Sequence, residues 1–172
     1  VRFDVKPTDF HGFTLEAHEL EQELISGEYF DIATVLELGP VSAALVVERL
    51  ARLPCTAEIA LSMLVRPQID IELPRPFAVV ENSRPGRFVA TAKTLIVIEG
   101  EKMGVAHPGA DDVETVESLY AYPMGRLIGS PAVTWMSAHD AATVRTWLRV
   151  ACAAEIAGLM QAAVDSTVEY LS

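Results

Sequence analysis

Cysteine is scarce in this sequence: 172 residues hold only Cys55 and Cys152. Small secreted domains stapled by disulfides carry many more. Both are therefore expected to be free, buried thiols of a reducing cytosol, where cysteine packs as a small hydrophobe. One long-range disulfide is the other reading. Neither cysteine belongs to a Cys-x-x-Cys pair, so redox and zinc chemistry have no local support. Basic residues are scarce too. Thirteen Lys and Arg face 24 Asp and Glu, a net charge of −11. Nucleic-acid affinity rests on Lys and Arg neutralising phosphates, and anionic lipid headgroups repel the same excess charge. Neither nucleic acid nor a membrane is an expected partner.

Long apolar runs are missing as well. A bilayer-crossing helix needs about 20 predominantly apolar residues, and the most apolar stretch, Val150–Val164, is broken by Glu155 and Gln161. The opening residues, Val1 to Lys6, show no apolar leader core, which gives a cytoplasmic expectation. The phosphate-cradling GxGxxG and GxxxxGK[ST] patterns do not occur. No internal repeat, low-complexity tract or linker divides the chain, so a single domain over residues 1–172 is expected.

Apolar residues are plentiful. At 51% hydrophobic and 22% charged, the composition excludes an intrinsically disordered chain. Folding at this size buries roughly 70% of the unfolded surface, enough for one core without staples. Val1, Phe3 and Val5 alternate with polar residues as in a short strand. Thr14 is placed to cap a helix over 15–26 that Gly27 would end. Residues 28–38 fit both periodicities, and their β-branched and aromatic content favours a strand. Pro40 starts a helix over 41–53 and Pro54 follows it. Alternation predicts strands over 58–65 and 68–73. Residues 77–98 read as a β-hairpin closed by Asn82-Ser83-Arg84-Pro85-Gly86. Residues 99–113 read as a loop, 113–119 as a short helix and 120–131 as irregular. Ser137 or His139-Asp140 opens a long helix over 139–171, made thin by its alanines and Gly158.

Strands that follow one another without helical crossovers imply an α+β fold, a mainly antiparallel sheet covered by helices. A doubly wound α/β arrangement is the alternative, because the first 53 residues also read as β-α-β-α.

Four places carry candidate chemistry. Arg75, Arg84, Arg87 and Lys93 against Glu81 make residues 75–93 locally basic in an acidic chain. Guanidinium forks match carboxylates and phosphates, so Arg84 and Arg87 are candidate anion ligands, set against the plainer reading of a solvated turn. His107 lies near Asp111, Asp112, Glu114 and Glu117. A histidine among carboxylates suits general base or metal chemistry, yet the acidic group also reads as an ordinary helix start. No ligand spacing specifies a metal. Tyr122 and Arg126 lie in a Gly- and Pro-containing connector that can line a ligand site or merely cover the core edge. His11 near Asp9, with His18, lacks a nucleophile to complete a triad. Trp135 and Trp147 read as core or interface anchors.

Together these give a cytosolic homo-oligomer, with a homodimer through the apolar last helix, that binds a small anionic metabolite or coenzyme. Arg84, Arg87 and Arg126 would hold the ligand and His107 or Tyr122 would serve as polar or catalytic groups. No cofactor is specified. The alternative is a non-catalytic interaction or scaffold protein whose last helix makes the contact. A metal-dependent hydrolase ranks third.

Overall fold

The structure is a computed structural model that describes residues 4–7, 13–16, 18–69, 71, 73–82, 84–117 and 122–172. The fold is α+β. Strand β1 (Asp4–Pro7) pairs antiparallel with β2 (Phe13–Glu16) as a small ribbon. Helices α1 (His18–Ser26) and α2 (Gly39–Leu50) follow, then a helical segment over 61–68. Next come β3 (Phe77–Glu81), β4 (Gly86–Arg87), β5 (Thr94–Glu99), β6 (Lys102–Ala106), β7 (Val113–Thr115), β8 (Met124–Leu127) and β9 (Val133–Trp135). The chain closes with α3 (Ala138–Leu171), 34 residues long.

The central sheet has the order β3-β5-β6-β9. Strands β3 and β5 are parallel, and the other neighbours are antiparallel. Strands β4, β8 and β7 form a second, three-stranded sheet. Side chains alternate across a strand, and the alternation sorts the core into two layers. Phe77, Ile96, Ile98, Met103 and Val105 face α2, α3 and the 61–68 segment. Ala78, Val80, Leu95, Val97 and Ala106 face Phe88, Val89 and the second sheet. The central sheet is thus covered on both faces, which is why β5 reads Thr-Leu-Ile-Val-Ile without a polar alternate.

Helix α3 starts where expected. The Ser137 hydroxyl caps it, accepting from the Asp140 backbone N–H at 3.2 Å and donating to the Asp140 carboxylate at 2.7 Å. At its middle the helix crosses α2 closely. A Cβ on Gly158 would lie 2.2 Å from the Glu48 carbonyl oxygen and 2.8 Å from the Ala51 Cβ, so only glycine permits this spacing.

Several expected elements fold otherwise. Thr14 lies in β2, and α1 begins only at His18. Residues 29–34 form a 3-10 turn rather than a strand, and Leu36 is 94% exposed. Residues 61–68 are helical although their apolar positions alternate. Nearly every side chain from Ile59 to Val65 is buried, and a segment apolar on all sides fits either period. No strand covers 68–73 among the described residues: Leu73 is buried while Ile71 is exposed. Residues 77–98 are not a hairpin. The dozen residues between β3 and β5 cross over, as parallel pairing requires, and on the way β4 joins the second sheet. The real hairpin is β5–β6, with Glu99 opposite Lys102 and Gly100 at a positive φ of 58° in its two-residue turn. Residues 113–115 and 124–127 are strands rather than helix and irregular chain. Cys55 and Cys152 are free thiols, but Cys152 is exposed.

Candidate functional site

Four elements meet around a cavity of about 410 Å³: the start of the 58–68 segment, the helix-facing side of β3 and β5, residues Arg87 and Phe88, and the first half of α3. Ile59, Leu61, Val79, Phe88, Ile98 and Leu148 give it apolar walls. Its charged lining consists of Arg87, Arg145 and Arg149 with Glu58 and Glu155. Arg145, Arg149, Cys152 and Glu155 lie within three turns of α3, so the 3.6-residue repeat aims them at one side.

The three guanidinium groups differ in their engagement. Arg145 donates to the Gly100 carbonyl at 3.2 Å, tying α3 to the β5–β6 turn. Arg87 donates to the Glu155 carboxylate at 2.7 Å and sits 5.0 Å from the Tyr122 ring centroid. Burial acts to lower the Arg87 pKa, but Glu155 and Tyr122 outweigh it and hold the group above its ordinary value. Arg149 is exposed at the mouth, with no hydrogen bond or ion pair to the described residues.

Below the cavity lies a buried polar network. Glu58 is only 5% exposed. One carboxylate oxygen accepts from the Ser62 backbone N–H at 3.0 Å. The other accepts from the Ser62 hydroxyl and from the Phe77 backbone N–H at 3.1 Å. The Arg75 Nε donates to the Ser62 hydroxyl oxygen at 2.7 Å, and its Nη2 donates to the Glu58 carbonyl at 2.8 Å. The Arg75 guanidinium also stacks 3.4 Å over the Phe30 ring. Burial pushes the Glu58 carboxyl up, against the opposing pull of Ser62, Phe77 and Arg75. Burial likewise lowers the Arg75 pKa, opposed by Glu58 and Glu21. The network joins the 58–68 segment to the start of β3 and fixes the cavity floor.

The candidate residues from the sequence do not converge. Arg87 lines the cavity, whereas Arg84 is exposed and outside it. Tyr122 packs edge-on against Phe88, with centroids 5.5 Å apart, and lines a small adjoining cleft with Glu155. Arg126 pairs with Glu114 at 3.2 Å on the outer sheet. The His107 Nδ1 lies 3.0 Å from the Lys93 carbonyl oxygen, away from the cavity. Asp112 accepts from the Gly109 N–H at 2.8 Å at the end of a short 3-10 turn over 110–112, so the acidic stretch does not start the helix expected over 113–119. No group of three His, Cys, Asp or Glu side chains among the described residues is arranged to hold a metal. Asp9 and His11 lie outside the described residues. Arg145 and Arg149 are not among the residues the sequence singles out, because nothing in the sequence places the first half of α3 against β3, β5 and Arg87. Their i,i+4 spacing was the available signal.

Helix α3 also departs from the expectation about apolar length: among the described residues it alone is long and apolar enough to cross a membrane. Its first half is held by the cavity and its middle by α2. Beyond Gly158, Leu159, Met160, Val164 and Val168 are exposed.

No model of a known protein family matches the chain, and no curated protein or solved structure does.

Proposed function

We propose that this protein binds a small anionic molecule in the cavity between α3 and the central sheet. The carrying observation is the gathering of Arg87, Arg145 and Arg149 on one concave surface with apolar walls, in a chain whose net charge is −11. Ligand sites have this character: a mostly apolar hollow with a few placed polar groups. Arg149, without a partner among the described residues, supplies the charge that meets the ligand. Arg145 and Arg87 complete the cationic rim, and Arg84 and Arg126 take no part. Phosphate and carboxylate groups both suit guanidinium forks.

Thermal unfolding in the presence of pyrophosphate and of citrate tests the reading. A midpoint that rises with anion concentration for the wild type, and far less for Arg149→Ala, supports it. Equal responses of the two proteins, or none, would reject it.

A second reading is favoured by the exposed apolar side chains of α3 from Leu159 to Val168. There the helix makes a contact between copies of a cytosolic homo-oligomer, with no chemistry of its own. Light scattering checks it: Val164→Asp should convert a dimer to a monomer, and a wild type already monomeric at high concentration speaks against it.

A further inference from the structure

We propose that Glu155 is an internal stand-in for the bound anion, an autoinhibitory carboxylate that occupies Arg87 until a ligand displaces it. The inference rests on the anion-binding reading above and adds a mechanism to it. Glu155 and Arg87 lie 68 residues apart in sequence, both line the cavity, and they meet there in a 2.7 Å contact. The contact has the donor and acceptor chemistry that a ligand carboxylate or phosphate would make with the same guanidinium. Glu155 also borders the small cleft beside Tyr122. Tyr122 stays under the Arg87 guanidinium and holds it in place for the incoming anion.

The charges explain why such a device has an effect. Three arginines and two glutamates line the cavity, which leaves one net positive charge when both carboxylates are ionised. Displacing Glu155 from Arg87 frees a second guanidinium beside Arg149, which has no partner among the described residues. A ligand must therefore bring enough charge to outcompete a tethered carboxylate, which selects multiply charged anions over singly charged ones. The competition lowers apparent affinity by the fraction of molecules in which Arg87 is free.

Isothermal titration of the full chain with inorganic pyrophosphate tests this on the wild type and three variants. Glu155→Gln keeps the shape and removes the competing charge. Glu155→Asp keeps the charge but withdraws it by one methylene. Asp165→Asn, whose side chain bonds Gln161 further along α3, changes the net charge equally without touching the cavity. The account expects Glu155→Gln to bind pyrophosphate about fivefold tighter, the upper end for a partly exposed pair. Glu155→Asp should move the same way by less, and Asp165→Asn should match the wild type. Glu155→Gln binding no tighter than wild type, or no tighter than Asp165→Asn, overturns the stand-in role and leaves the anion site standing. Failure of both wild type and Glu155→Gln to bind at millimolar pyrophosphate overturns both.

Discussion

Replacing Glu58 by alanine removes the acceptor for three donors at once: the Ser62 N–H, the Ser62 hydroxyl and the Phe77 N–H. A buried donor left without a partner costs about 1–3 kcal/mol, and breaking a buried charge arrangement by deleting one member costs about 3–5 kcal/mol. Arg75 keeps Glu21 at 3.5 Å and the Phe30 face, and water can enter from the adjoining cavity, so the lower end, about 3 kcal/mol, is expected. For a chain of this size that lowers the melting temperature by about 6–12 °C. Glu58→Gln is the isosteric control. Its amide keeps one acceptor but turns an N–H₂ toward a backbone donor, a cost of about 1–3 kcal/mol. Urea unfolding followed by circular dichroism measures both.

The pH dependence has a definite sign. Burial raises the Glu58 pKa in the folded chain, so the native state holds this proton to higher pH than the unfolded chain does. Stability from this site is complete below the unfolded carboxyl range and is lost as pH rises through the folded pKa. The gap between wild type and Glu58→Gln, which does not titrate there, should therefore be widest in acid and narrow as the pH is raised. Variants within about 0.5 kcal/mol of wild type, the range of ordinary surface substitutions, would refute the reasoning, as would a gap that widens with pH.

Three further outcomes follow from the packing and exposure. Gly158→Ala must push α3 away from α2, since its Cβ would meet the Glu48 carbonyl at 2.2 Å; a loss of about 1–3 kcal/mol is expected for overpacking, measured by the same unfolding curves. Ser137→Ala removes the α3 cap and should cost about 1 kcal/mol, with a fall in melting temperature and little change in helix content. Cys152 is exposed, while Cys55 is partly covered and burial raises its thiol pKa. Ellman's reagent should therefore titrate Cys152 first, and mass spectrometry of the half-labelled protein identifies which thiol reacted.

How far the fold could be read ahead depended on whether one face of an element is wet. Helices α2 and α3 were legible because Pro40 and Ser137 mark their starts and polar residues line one side. The 61–68 segment was not, because burial on all sides erases the period that separates strand from helix. The parallel pairing of β3 and β5 was hidden by the turn residues at 82–86, which look like a hairpin closure but start a crossover. Gly100, in a two-residue connection between apolar runs, is the better hairpin signal. The anion site was half legible. The basic bend pointed to Arg87, but its neighbours Arg145 and Arg149 come from α3, some 60 residues on. Only the packing of α3 across the sheet brings them together.

The most direct measurement is a crystal soaked in selenate and examined at the selenium absorption edge. The account predicts an anomalous peak among the guanidinium groups of Arg87, Arg145 and Arg149, with the Glu155 side chain drawn back from Arg87. A protein that takes up selenate only at Arg84, Arg126 or other outer arginines, leaving this hollow without a peak, contradicts it.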